Sequence, residues 1–594
     1  MKKQPNHYKL AALPKPQKKA TTLETIKKLL SLIGDERRNL LIALTSITIN
    51  TILIMVAPRL VGYTVDNYIQ TKQFHGVIVF SGILLLVYIT IVVTGYLHTK
   101  LMGGVGQRML FNLRNRLFNK IQELPVDFFN QNKAGDLISR INNDSDRINM
   151  FFSQSLMVFV FNIISLIAAG IFLLVINFKL AIVALIPALF VFLFTRFASP
   201  WVKSKTSISM KTLGLLTAEV QESLNNFKLI IAFNRRDYFR KRFDEVNNDN
   251  FDASVKAGLS SAMFMPSYSF AANIGQLIVL SFGIFLIGKG EFTVGLLISY
   301  FVYLSNFYNP LRSMANLWTN FQTALAGWDR INQILNLEND LPIKEQTNGL
   351  SSDALLSFQD VSFSYNEDTE ILHHVSFNLE RGKTYAFVGP TGGGKTTTAS
   401  LMARLYDPND GSVLFCGKDI SSMPLEERTH RIGFILQEPF LFSGTVRDNI
   451  LYANPEMRDF TNTQLLEALQ ESGLDSLLQV FDQGLDTPVE SSNESISLGQ
   501  KQLIAFMRAV LRKPDLLILD EATANIDTVT EKLLDSILQK LPNTTTRVII
   551  AHRLNTIENA DEIYFVNSGK VIRAGSLDEA IDLLMKDKNK FSNR

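Results

Sequence analysis

Nine consecutive residues, Gly389-Pro390-Thr391-Gly392-Gly393-Gly394-Lys395-Thr396-Thr397, have the types and spacing to hold phosphate. Gly389, Gly394, Lys395 and Thr396 fit the pattern G-x-x-x-x-G-K-[ST]. Glycines let the backbone curl until its N–H groups face phosphate oxygens, which bulkier residues would obstruct. Lys395 would reach the β- and γ-phosphates, and the Thr396 hydroxyl would ligate Mg²⁺. Such a loop needs a strand before it and a helix after it. The apolar run 383–388 predicts the strand, and 397–405 predicts a helix whose positive N-terminal end faces the anion.

A second constellation supplies carboxylates. Leu516-Leu517-Ile518-Leu519-Asp520-Glu521 reads as an apolar strand ending in two acids. A strand buried on both faces suits the core of a parallel sheet, and ligands bind at the carboxyl ends of such strands. Asp520 would hold Mg²⁺ through its water shell, and Glu521 would polarise an attacking water as general base.

These elements must sit in a larger frame. The chain has 594 residues, enough for two or more domains, and a net charge of +3, which gives no sign of nucleic-acid binding. The single cysteine, Cys416, has no intrachain disulfide partner and reads as a small buried apolar residue. A mean hydropathy of +0.12 points to a membrane portion. Residues 1–20 are Lys- and Pro-rich without the apolar core of a cleavable signal peptide. Leu23, Ile26, Leu29, Leu30 and Ile33 predict an amphipathic helix over 21–33, suited to a membrane surface.

Six apolar stretches follow, at 39–58, 76–99, 150–178, 180–197, 259–288 and 292–311. Most match the roughly 20 residues that cross a bilayer. The connections at 66–75, 177–179 and 289–291 are short and poor in Lys and Arg, whereas 100–147 and 203–256 are long and rich in both. The positive-inside rule then places both termini and both long loops in the cytoplasm. The long loops keep a helical period over 108–124 and 215–233, so they read as prolonged transmembrane helices. Transverse segments are predicted at 128–136 and 225–234. The spans carry almost no charge but do carry Asn50, Asn162, Tyr268, Asn273, Gln276, Tyr300, Tyr303 and Asn306. These could glue helices together or line a cavity for an amphiphile. The predicted fold is thus an all-α six-helix transmembrane domain with long cytoplasmic helical extensions, followed by an α/β P-loop ATPase domain. The parts are a tail and surface helix over 1–37, a membrane domain over 38–325, a linker over 326–354 and an ATP-binding domain over 355–594.

The segment Ile496-Ser497-Leu498-Gly499-Gln500 resembles the signature of ABC transporters, usually Leu-Ser-Gly-Gly-Gln, and lies between the phosphate loop and the carboxylate strand as it does in that family. Six spans with long cytoplasmic loops ahead of the ATPase resemble the exporter layout. The resemblance implies further roles. Tyr365 would stack on adenine, Gln437 would touch Mg²⁺ and the attacking water, Asp527 would lie in a loop crossing to a second copy, and His552 would contact the γ-phosphate. Ser497, Gly499 and Gln500 would cap ATP bound by the partner chain, so that two ATPs are sandwiched between two such domains. The implied cofactors are ATP and Mg²⁺. The implied activity is ATP-driven export of amphiphilic drugs or lipids across the plasma membrane by alternating access. A lipid flippase homodimer and an ATP-gated channel are the alternatives. Two departures from the family pattern, Leu498 where a glycine is usual and Ser491 where a glutamate is common, point to a heterodimer with a second half-transporter rather than a homodimer. No nucleic-acid partner is expected.

Overall fold

The computed structural model describes residues 8, 10, 34–337, 341, 343, 354–365, 369–490, 496–520, 534–539, 541–542, 544–550, 559–575, 578–579 and 582, the side chains at 35, 315, 316 and 318 excepted. The helix expected over 21–33 lies outside these residues, as do Ser491, Glu521, Asp527 and His552. The chain divides into two compact units, one of Ala11–Ile121 with Gly135–Asn336, the other of Met1–Leu10, Gln122–Ala134 and Leu337–Arg594.

The first unit is helical. Five segments, Arg37–Ile69, Phe74–Gln122, Ala134–Ile176, Phe178–Asn225 and Arg236–Gly288, are long and apolar enough to cross a membrane. Within them lie α1 (Arg37–Thr64), α2 (Phe74–Gln122), α4 (Ala134–Ser139), α5 (Ser145–Met150), α6 (Leu156–Ile176), α7 (Phe178–Asn225), α9 (Arg236–Ala262) and α10 (Phe264–Gly288). A further helix, α11 (Val294–Leu335), ends the unit, so residues 326–335, expected in a linker, are its last turns. At 1.5 Å per residue α2 runs roughly 74 Å, more than twice a bilayer's hydrocarbon core of about 30 Å. The apolar period simply continues past the hydrophobic stretch, and nothing in 100–122 breaks it.

α11 is the spine of this unit and packs on α1, α6 and α10, while α7 packs on α9 and α10. Its start is interlocked with α1. A Cβ on Gly295 would stand 2.0 Å from the Gly62 carbonyl, so glycine is what lets the two backbones touch. Asp66 accepts the Gly295 N–H at 2.8 Å, and the Ser299 hydroxyl donates to the Pro58 carbonyl at 2.7 Å. The far end of α11 is held by charge. Arg140, fully buried, donates to Asp136 at 2.8 Å and to the Arg330 carbonyl at 2.6 Å, and Arg330 pairs with Asp144 at 3.0 Å.

The second unit is an α/β domain. One sheet is antiparallel, in the order β2 (Leu372–Glu380), β1 (Ala354–Phe363), β4 (Asp410–Phe415), β5 (Lys418–Asp419). A second runs β12 (Lys570–Ala574), β11 (Glu562–Asn567), β3 (Thr384–Val388), β10 (Thr546–Ile550), β9 (Leu516–Asp520), β6 (Ile432–Ile435), and is parallel except at β12, and a third is the short antiparallel pair β7 (Gly444–Thr445) and β8 (Pro488–Val489). Alternation along the central strands of the second sheet explains their continuous apolar runs. Leu517 and Leu519 face one buried cluster, together with Ala386 and Val388. Leu516 and Ile518 face the other, with Tyr385 and Phe387. A strand clothed on both faces has no polar side to show. Two helices matter for the site, α12 (Lys395–Met402) after β3 and α13 (Leu498–Val510) before β9. The same unit takes in α3 (Val126–Gln131), which covers only 128–131 of the first expected transverse segment, the remainder falling on the break at 132–133 and the start of α4. The second is α8 (Phe227–Ala232), in the helical unit. Cys416 is only half-buried, and its Sγ accepts from Arg381 at 3.1 Å and Arg431 at 3.2 Å, so the expectation of a buried apolar residue does not hold.

Candidate nucleotide site and membrane cavities

The phosphate-loop residues leave β3 and enter α12 as the chemistry requires. Gly389 has φ +148, and a Cβ there would meet the Val566 carbonyl of β11 at 2.0 Å. Gly394 has φ +111 and serves as the N-cap of α12, with no side-chain cap on its first turn. The helix therefore begins at Lys395, two residues earlier than the expected 397. Its leading N–H groups have no side-chain acceptor and suit an anion. Lys395 is buried and its ammonium donates to the carbonyls of Gly389 at 2.8 Å and Pro390 at 3.0 Å. Pro390, Thr391, Gly392 and Gly393 complete the turn, which closes through Gly393 N–H to the Pro390 carbonyl at 3.1 Å.

Parallel pairing of β9, β10 and β3 brings Asp520 to this loop. The Thr396 hydroxyl donates to Asp520 Oδ1 at 3.2 Å, joining two positions 124 residues apart. A hydroxyl and a carboxylate at this separation are the hard oxygen donors that Mg²⁺ takes, along with phosphate and water. Gln437 lies exposed just beyond β6, where its carbonyl is 3.5 Å from Gln502 Nε2. In the signature segment Ser497 is the N-cap of α13. Its hydroxyl accepts the Gln500 N–H at 3.1 Å, and Gln500 Oε1 accepts the Ser497 N–H at 2.9 Å, a reciprocal capping box. Leu498 and Gly499 are the first two helical residues, so Leu498 needs no glycine conformation. Its side chain is nonetheless 38 % exposed at the helix opening.

Tyr365 is turned onto the loop side of the domain, where its hydroxyl donates to Thr397 Oγ1 at 3.2 Å. Its ring meets Tyr406 edge-on, with centroids 5.1 Å apart, and also Phe363 at 4.9 Å. Burial pushes the phenol of Tyr365 up, and that of Tyr406 up to about 12. The Tyr406 hydroxyl accepts from Asn130 of α3 at 2.6 Å. Tyr406 escaped sequence reading, since a lone tyrosine after a helix carries no motif, and Asn130 was read only as part of the first transverse segment. Glu521, Asp527 and His552 lie outside the described residues, and so have no geometry here.

The polar residues of the spans divide. Asn50 donates to the Ile91 carbonyl at 2.7 Å, Asn162 to Ser313 at 2.7 Å, Tyr300 to the Leu173 carbonyl at 3.3 Å and Tyr303 to the Met55 carbonyl at 2.6 Å. Tyr268 and Thr195 share a bond of 2.9 Å. These five are helix-to-helix glue. Asn273 and Gln276 instead border a polar cavity of about 170 Å³ between α10 and α11. Asn306 borders an apolar one of about 260 Å³ formed with α1 and α2.

The family model for the ABC transporter transmembrane region matches residues 40–311, and that for the ABC transporter itself matches 372–524. An uncharacterized ABC transporter ATP-binding protein of Bacillus subtilis is 32 % identical over 584 residues, covering 96 % of this chain and 94 % of the relative. A second B. subtilis protein, named "Probable multidrug resistance ABC transporter ATP-binding/permease protein", is 31 % identical over 80 % of this chain and 71 % of its own length. An ATP-dependent lipid A-core flippase of Syntrophus aciditrophicus is 30 % identical over 83 % of this chain and 82 % of its own. With both modules in order on one chain and relatives matched along nearly its whole length, the chain belongs to the ABC transporter family, as an exporter-type half-transporter that couples ATP hydrolysis to export across a membrane.

Proposed function

We propose that this chain is one half of a heterodimeric exporter of amphiphilic drugs or lipids in the plasma membrane, with six spans and both termini in the cytoplasm. α11 is taken as the sixth span on its length and its place after the short connection at 289–291, its N-terminal half being less apolar than the other five. The observation that carries the reading is the Thr396–Asp520 pair beneath a glycine-shaped phosphate loop. Loop N–H groups and Lys395 hold the phosphates. Thr396, Asp520 and Gln437 would hold Mg²⁺, which would supply positive charge beside the phosphates. Thr397 completes the loop, Glu521 activates water, and His552 contacts the γ-phosphate. Ser497, Gly499 and Gln500 open α13 toward the partner's ATP, and Asp527 stands in the crossing loop. ATP closes the two domains on each other, hydrolysis releases them, and α3 and α8 carry the motion to the membrane helices.

Leu498 favours two different chains. The capping box is intact, so the signature helix forms, but a leucine side chain stands where close backbone approach to phosphate is needed. The site that this signature caps turns over poorly, while the site built on this chain's own carboxylates works. The test is to purify this chain alone and then with the product of an adjacent transporter gene. The reading expects strong ATP hydrolysis only from the pair, and vigorous hydrolysis by the lone chain as a stable homodimer would overturn it. The lipid A-core flippase among the relatives gives the homodimeric lipid carrier its place as the second reading.

A further inference from the structure

We infer that Asn132 and the chain at Tyr8 and Leu10 form a strap that holds α3 in its seat, which makes Asn132 a positioning residue for the coupling of ATP hydrolysis to export. The inference rests on the reading above in which α3 carries motion to the membrane helices, and it adds the contact that keeps α3 in place.

The first observation is an anchored terminus. Residues 1–20 are Lys- and Pro-rich, and a chain end of that kind stays loose unless something ties it down. Tyr8, the one aromatic residue among these twenty, is nevertheless only 2 % exposed, and Leu10 is half-buried. One side chain ties both. Asn132 Nδ2 donates to the Tyr8 carbonyl at 2.8 Å, and Asn132 Oδ1 accepts the Leu10 N–H at 3.0 Å. The two bonds flank a single residue and join positions 124 and 122 apart in the sequence. An amide carries both a donor and an acceptor, so one side chain grips the backbone at two points.

The second observation is where Asn132 stands. It is the C-cap of α3, and its Nδ2 also donates to the Phe128 carbonyl at 2.7 Å, one of the carbonyls that a helix end leaves without an intrahelical partner. α3 has only six residues, and isolated helices below roughly 12–15 residues are marginal in water. It keeps its shape through what holds it. Phe128 is fully buried, Asn130 donates to the Tyr406 hydroxyl at 2.6 Å, and Tyr406 meets Tyr365 edge-on at 5.1 Å. Two asparagines thus grip the end of α3, Asn130 on the tyrosines of the nucleotide side and Asn132 on the N-terminal segment. Met1–Leu10, Gln122–Ala134 and the ATPase fold belong to one compact unit. Without the strap, Asn132 would swing and the last turn of α3 would fray, loosening Asn130 two residues earlier. The phosphate loop and its carboxylates would be untouched. Hydrolysis would then continue while less of it reaches the membrane helices.

The experiment uses inverted membrane vesicles holding this chain with its partner, in four forms: the parent, Asn132→Ala, Tyr8→Ala and the two combined. Chymotrypsin cuts after tyrosine, and the fragment mass reports cleavage at Tyr8. Cleavage there should be slow in the parent and about tenfold faster in Asn132→Ala, the effect of two modest hydrogen bonds. A fluorescent amphiphile is followed in the same vesicles, and its ATP-driven movement is divided by the ATP hydrolysed. Each single variant should lower that ratio about two- to tenfold, the range for one such bond, with the hydrolysis rate and the Michaelis constant for ATP unchanged. The combined variant should lose no more than Asn132→Ala alone, because both changes open the same contact. Equal cleavage at Tyr8 in the parent and Asn132→Ala overturns the strap. So does a ratio that neither variant moves, a combined loss equal to the product of the single losses, or a fall in hydrolysis that matches the fall in movement. If ATP moves no amphiphile in the parent, the export reading has failed, and cleavage at Tyr8 then decides by itself whether the strap exists.

Discussion

The phosphate loop and the amides of the membrane unit are both polar groups set in apolar surroundings, yet they are organised in opposite ways. In the loop, nine neighbouring residues lead from β3 into α12, and backbone geometry shapes the turn. Gly389 and Gly394 adopt φ values that other residues avoid, and Lys395 bonds back to Gly389 and Pro390. In the membrane unit, the meaning of each amide is decided by a residue far away in sequence. Asn162 finds Ser313 and becomes glue, whereas Asn273 finds no partner among the described residues and borders a cavity. Contiguous chemistry travels with the motif, and distributed chemistry depends on packing.

If this contrast is right, single changes in the ATPase unit should act on rate and nucleotide affinity, and changes between the helices should act on stability and substrate choice. The largest effect is expected from Glu521→Gln, which removes the proposed base and leaves the residues of the phosphate loop unchanged. Steady-state hydrolysis should fall ~10²–10⁴-fold with nucleotide affinity retained. A parental rate would strip Glu521 of its role. Lys395→Ala comes next. Losing charge-assisted contacts worth about 1.5–3 kcal/mol should weaken nucleotide binding about 10–100-fold by equilibrium titration, and unchanged affinity would count against the loop assignment.

How much of this was legible beforehand follows the same division. The strand, loop, helix and carboxylate strand of the ATPase were readable because their residue types have few other uses together. The start of α12 was misplaced by two residues, since Gly394 at φ +111 is itself the cap and a sequence does not print dihedral angles. The apolar spans announced themselves by length. The identity of α11 as the spine did not, because its contacts are set by Gly62, Gly295 and Ser299, three unremarkable letters. Tyr406 was invisible for a similar reason. Its importance lies in touching Tyr365 on one side and Asn130, 276 positions away, on the other.

Gly295→Ala probes the packing side of the contrast. The added methyl would meet the Gly62 carbonyl and the Asp66 carboxylate, so overpacking should cost about 1–3 kcal/mol and lower thermal stability in detergent, with nucleotide affinity unchanged. Equal stability would mean that α1 and α11 can separate freely. The smallest effect is expected at Tyr365. Tyr365→Ala forfeits stacking worth on the order of 1 kcal/mol, raising the Michaelis constant for ATP about fivefold. Tyr365→Phe should restore it, because the ring rather than the hydroxyl supplies the face. Failure of phenylalanine to rescue would make the Thr397 hydrogen bond the working part.

The central claim, that ATP hydrolysis on this chain is spent on moving an amphiphile, has one direct measurement. Inverted vesicles containing this chain and its partner are given ATP, and a fluorescent amphiphile is followed until the ATP is consumed. A pump accumulates the probe above its equilibrium level while hydrolysis lasts and loses that gradient once hydrolysis stops, and this is the result expected here. Equilibration without accumulation, at any ATP concentration, would make the protein an ATP-gated channel and contradict the account.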